Sequence, residues 1–113
     1  MKAIQPAELE NLLDADQPIE IVDIRPRRKF EKGHIDGARW LPPCALSIET
    51  LVCSRQLLPT EPLYLVSETG ASAHASASEL ERQGLNNLIV VTGGIRAWQH
   101  DGFQVVATRS DDD

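Results

Sequence analysis

The chain is short of cysteine. Among its 113 residues only Cys44 and Cys53 carry thiols. One such pair is no disulfide framework, and it is no zinc site, which takes four ligands in short-spaced pairs. The sequence also lacks any run approaching the ~18 apolar residues that a membrane span requires. Its opening stretch, MKAIQPAELENLL, carries acids and a proline rather than the apolar core of a signal peptide. Positive charge is scarce too: 11 Lys and Arg stand against 17 Asp and Glu, a net of −6. Non-specific nucleic-acid binding needs clustered cations that displace counterions, so that class is set aside. There is no internal repeat and no linker. These absences predict an acidic cytoplasmic protein with two reduced thiols, no membrane contact, no metal and no cofactor.

What is present is enough for a core. Hydrophobic residues make up 42% of the chain, and a domain of this length buries roughly two thirds of its unfolded surface. The expectation is one domain over residues 1–107. Residues 108–113, ending in Asp111, Asp112 and Asp113, read as a flexible acidic tail.

Apolar runs and turn residues alternate along the chain. Pro6 suits the first turn of a helix, and Leu9, Leu12 and Leu13 follow at helical spacing. IEIVDI (19–24) is a β-branched run that suits a buried strand. RPRRKFEKG gives a polar turn and a short helix stopped by Gly33. ARWL (38–41) is a short extended piece closed by prolines. Residues 45–58 fit a helix only moderately. LYLV (63–66) is the clearest strand, followed by the small-residue turn SETGAS. SAHASASELERQG reads as a helix ended by Gly84. LIVV (88–91) is another buried strand, and Gly93-Gly94 turns into a short helix. Apolar strands alternating with helices point to an α/β fold with a mostly parallel sheet covered on both faces. Ligands in such sheets sit beyond the carboxyl ends of the strands, which directs attention to the turn after LYLV.

Two segments resemble the rhodanese-like family. In IVDIRPRRKFEKGHIDGARWLP the residues Asp23, Arg25, Phe30, Gly33, His34, Ile35, Gly37, Ala38 and Pro42 match its pattern in one register. In the segment from Leu63 to Val105, Gly70, Gly84, Gly93, Gly94, Trp98 and Gly102 match. With the opening helix, the resemblance covers nearly everything from Lys2 to Val106. It implies a three-layer rhodanese-like fold and a six-residue active-site loop that opens with the sulfur-accepting cysteine. Gly33 and Gly37 flank His34, Ile35 and Asp36 as a turn with unusual backbone angles would require. His34 reads as a turn histidine bonded to nearby backbone or to Asp23, and Trp98 as core packing.

The loop itself reads Ser67, Glu68, Thr69, Gly70, Ala71, Ser72, and these six residues are the candidate binding site. By the resemblance, Ser67 stands in the place of the cysteine. Family chemistry makes a persulfide, which needs a thiolate; a hydroxyl forms none and is barely ionised at neutral pH. Ser72 stands where many members carry arginine, and Glu68 puts a negative charge where an anionic donor would arrive. The loop is therefore a degenerate one, with no catalytic residue expected. A binding or regulatory module, taking a protein partner or a small anion at the loop, is the leading reading.

Other readings stay open. A thiol outside the loop, Cys44 or Cys53, would keep a thiosulfate sulfurtransferase-like activity alive, and the same pair would serve a redox-responsive protein. A Ser67–His74 hydrolase lacks the Gly-x-Ser-x-Gly elbow. A phosphatase of the related fold would need cysteine and arginine at the ends of a longer loop. The basic cluster Arg25, Arg27, Arg28, Lys29 and Lys32 reads as a solvated helix face, or as a dock for an acidic partner.

Overall fold

Three apolar runs supply the centre of the sheet. The computed structural model describes residues 2–15, 19–42 and 62–107. In chain order the elements are β1 (Lys2–Ile4), α1 (Pro6–Asp14), β2 (Glu20–Asp23), α2 (Arg27–Lys32), β3 (Arg39–Trp40), β4 (Leu63–Val66), α3 (Ala71–Arg82), β5 (Leu88–Val91) and α4 (Gly94–His100). The strands lie in the order β1-β5-β4-β2-β3, and every pairing is parallel. Tyr64 of β4 faces Ile21 on one side and Ile89 on the other, so β4 is the central strand.

Alternation along the strands divides the core between two faces. Leu63 and Leu65 of β4 and Val22 of β2 pack with Ala73, Ala77 and Leu80 of α3. Tyr64 and Val66 of β4 and Ile21 of β2 pack instead with Leu9 of α1 and with Ile95 and Trp98 of α4. Small residues on α3 let that helix lie close to the sheet. Each fully buried Leu or Ile here contributes about 1.5–3 kcal/mol of transfer free energy. Helices thus cover both faces, the three-layer α/β arrangement that the strand pattern implies.

Local signals explain several boundaries. Pro6 opens α1, and the Gln5 N–H donates to Glu8 Oε1 at 3.0 Å, which satisfies one orphan donor at that helix start. Leu12 and Leu13 are half-buried beside Leu9, as their spacing requires. Gly84, with φ 109°, follows the end of α3 in the left-handed region. Trp98 is buried, and its indole N–H donates to the Gln104 carbonyl at 2.9 Å while its ring tilts against Phe103.

Three sequence expectations need correction. β1 has no counterpart in the strand pattern: it is a three-residue edge, mostly exposed, and too short to carry a periodicity. Gly33 has extended backbone (φ −178°) rather than an unusual angle, whereas Gly37 does sit at φ 90°. What Gly33 provides is room, since a Cβ there would meet Val105 Cγ2 at 2.9 Å. The basic cluster is also no uniform solvated face, because Arg25 is buried. The moderate helix expected over residues 45–58, Cys44, Cys53 and the acidic tail 108–113 lie outside the described residues.

Candidate functional site

The carboxyl ends of β2 and β4 lie side by side, with Asp23 opposite Val66. Two short polar segments leave the sheet there. From β4 comes the loop that begins at Ser67 and runs into α3. From β2 comes Ile24-Arg25, leading to α2, and the Ile24 N–H donates to the Val66 carbonyl at 2.9 Å.

Ser67 is buried. Its Oγ accepts the Gly70 N–H at 2.9 Å and the Ala73 N–H at 3.2 Å. Ala73 is the third residue of α3, so its N–H has no partner inside the helix. Ser67 therefore caps α3 from three residues upstream of the first helical residue's neighbour, Gly70, which has no side chain to do so. Gly70 takes φ 99°, and that turn points two N–H groups at a single side-chain atom. Among the described residues no side chain hydrogen-bonds Ser67 Oγ. His74 is exposed on α3, and among the described residues the hydroxyl's partners are backbone N–H groups, so no general base is paired with it there.

The loop is clamped from its other side by α4. The Ile95 N–H donates to the Ser67 carbonyl at 2.9 Å and the Arg96 N–H to the Glu68 carbonyl at 3.1 Å. This approach requires glycine at position 94. A Cβ there would drive into the Ser67 carbonyl oxygen and come within 2.6 Å of the Glu68 carbonyl oxygen, and φ is +64°.

Charge at the site is organised by Asp23 and Arg25. Both are buried, and the Arg25 side chain meets the two carboxylate oxygens of Asp23 at 2.9–3.1 Å. The Arg25 N–H also donates to Asp23 Oδ1, and its Nη2 to the Gly33 carbonyl. The Arg25 carbonyl accepts the Trp40 indole N–H at 2.7 Å. One residue thus ties the β2 end to the GHIDG turn and to β3. His34 does not reach Asp23; its Nδ1 pairs with the Phe30 carbonyl at 2.8 Å and its ring stacks on Phe30 at 3.9 Å.

Glu68 faces cations from three elements. Its carboxylate lies 3.4 Å from Arg96 Nε, 3.7 Å from Lys29 Nζ and 3.9 Å from Arg25 Nη1. Sequence reasoning saw Glu68 as bare negative charge and missed Arg96, whose position opposite the loop follows from the way Gly94 lets α4 approach. The remaining loop residues are less committed: Thr69, Ala71 and Ser72 are exposed. Of the basic cluster, Arg27 pairs with Glu31 at 3.0 Å and lies over the Trp40 ring.

Comparison with known proteins is consistent with this architecture. The family model described as "Rhodanese-like domain" matches residues 5–101. A thiosulfate sulfurtransferase GlpE of Pseudoalteromonas translucida is 30% identical over 98 residues, covering 87% of this chain and 89% of that protein. The putative sulfur carrier protein YrkF of Bacillus subtilis is 26% identical over 86 residues, 76% of this chain. The chain spans only 44% of that protein, and 24% of the probable adenylyltransferase/sulfurtransferase MoeZ of Mycobacterium tuberculosis, which is 26% identical over 95 residues. A rhodanese-like domain protein from Staphylococcus aureus, solved by crystallography, superposes with a TM-score of 0.76 at 27% identity, covering 96% of this chain and 100% of that one. No helix among the described residues is long and apolar enough to cross a membrane. On the match to residues 5–101 and the shared fold, the chain belongs to the rhodanese-like domain family.

Proposed function

We propose that this chain is a rhodanese-like module that performs no sulfur transfer at its loop and acts by binding. The observation that carries the reading is the Ser67 hydroxyl, which is buried and accepts the Gly70 and Ala73 N–H groups. In this reading those two donors, with the N-terminus of α3, are the cradle that steadies a thiolate in a sulfur-transferring relative. Here the cradle is filled by an atom that forms no persulfide and, among the described residues, has no base to activate it. Ser67, Glu68, Thr69, Gly70, Ala71 and Ser72 then form a binding surface, within one domain over residues 1–107 of a cytoplasmic protein.

The decisive measurement is thiocyanate formation from thiosulfate and cyanide by the purified wild-type chain. The expected result is no turnover above the protein-free rate. Turnover would refute the reading. Mass spectrometry of the thiosulfate-treated chain then locates the sulfur: a gain of one sulfur atom that disappears on replacing Cys44 or Cys53 would assign the activity to a thiol outside the loop.

A further inference from the structure

A groove of about 610 Å³ opens on the α1 and α4 side of the sheet and shares no residue with the Ser67 loop. Its volume falls within the roughly 300–1,000 Å³ of ordinary ligand clefts. The covered part of its lining is apolar: Ile35 and Trp98 are buried, and Leu13 and Phe103 are half-buried. Val106 lines it too, and at 39% it is the one large hydrophobic side chain left exposed among the described residues. Glu10, Asp14 and Asp36 bring three carboxylates to the same groove, and no Lys, Arg or His lines it. Among the described residues none of the three has an ion-pair partner, and they form no metal-holding cluster. Asp14 also stands at the wrong end of its helix. It is the last residue of α1, where the carbonyl end of the helix dipole repels negative charge, and no basic residue occupies that turn. The carboxylate therefore costs the fold stability, and nothing within the described residues repays it.

We propose that this groove docks a basic segment of a partner protein: one large apolar side chain seats against Leu13, Phe103 and Val106, and flanking lysines or arginines meet Glu10, Asp14 and Asp36. Charge complementarity chooses that occupant. The apolar lining supplies affinity by taking a side chain out of water. The three acids favour a segment that carries cations and disfavour an apolar segment flanked by acids. The chain's own end is a poor occupant, because beyond Ala107 it carries Arg109 against Asp111, Asp112 and Asp113. A second copy is disfavoured in the same way, since each chain has a net charge of −6. The groove and the Ser67 loop have no residue in common, so this proposal and the loop reading stand or fall separately.

The test follows backbone amide signals of the full chain by NMR while a short peptide is added that carries one leucine between two lysine-arginine pairs. Binding is expected to saturate below about 1 mM, with the shifts centred on Leu13, Asp36, Phe103 and Val106. A peptide of the same charge with serine in place of leucine is expected to bind at least about fivefold more weakly. Asp14→Asn and Asp36→Asn together are expected to weaken binding of the leucine peptide at least about fivefold. Asp14→Asn alone is expected to raise Tm while it weakens binding, so unfolding cannot be the cause of the loss. No saturation below about 1 mM, shifts centred outside the groove, equal affinity for the two peptides, or a double variant that binds within twofold of wild type would each overturn the proposal. Sedimentation equilibrium is run on the free protein alongside. A mass that grows with concentration in the wild type and not in Val106→Ser would make a second copy the occupant and overturn it as well.

Discussion

Replacing Ser67 by alanine separates the hydroxyl's structural work from any chemistry it does. The change removes one acceptor and strands two donors, the N–H groups of Gly70 and Ala73. A buried donor left unpaired costs about 1–3 kcal/mol, and losing a helix cap costs about 0.5–2 kcal/mol. The Ala73 bond is buried, whereas the Gly70 bond is partly exposed and water can replace its acceptor. The expected destabilisation is therefore about 2 kcal/mol, most of it from Ala73. At about 4 °C per kcal/mol for a domain of this size, Tm falls by roughly 8 °C. Urea unfolding followed by far-UV circular dichroism and by tryptophan fluorescence measures it, with an unchanged m-value indicating that only stability moved. Ser67→Cys retains a weak sulfur acceptor at the same place and is expected to lose about half as much. An alanine variant within about 0.5 kcal/mol of wild type would refute the capping role.

Two further outcomes follow from the same geometry. Gly94→Ala is expected to cost more than about 2 kcal/mol, combining a left-handed backbone with a Cβ lodged against the Ser67 and Glu68 carbonyls; equilibrium unfolding measures this, and a neutral result would mean that α4 does not clamp the loop. At alkaline pH, burial raises the pKa of Tyr64 above 10.0. Below pH 10 both folded and unfolded chains hold that proton; above it the unfolded chain ionises first, so stability falls as pH rises through 10. Tyr64 is the sole tyrosine, so ultraviolet titration reads it alone, and Tyr64→Phe should flatten the alkaline decline.

How much of this was legible in the sequence depended on whether the information was local. β2, β4 and β5 are apolar runs bounded by turn residues, and their burial on both faces follows from that composition. α1 carries its helical spacing openly in Leu9, Leu12 and Leu13, and α3 its stop signal in Gly84. The loop was found because strand, small-residue turn and helix are consecutive. β1 was not, since three residues with one half-buried side chain carry no pattern, and its placement rests on β5 far along the chain. The fate of the basic cluster was equally hidden. Arg25 and Lys29 look alike in sequence, but only Arg25 has Asp23 two residues away on the same strand end to draw it into the core. Glu68 was seen and its setting was not, because its cations arrive from α2 and α4. Ser67 looked like a loss of chemistry; the structure adds that its oxygen holds the start of α3 in place.

The parallel order β1-β5-β4-β2-β3 has a kinetic consequence. Lys2 lies opposite Ile89 and Ile4 opposite Val91, so the first strand pairs with the last. During synthesis β2 and β4 can meet as soon as Val66 has emerged, whereas β1 must wait for the segment that ends at Val91. Contacts so distant along the chain close large loops and slow the search for the native state. Until then the β5 side of β4 and the strand-pairing groups of β1 are uncovered. A nascent chain therefore passes through a stage in which β2 and β4 are both available for pairing while β5 and the α4 clamp behind the Ser67 turn have yet to be made.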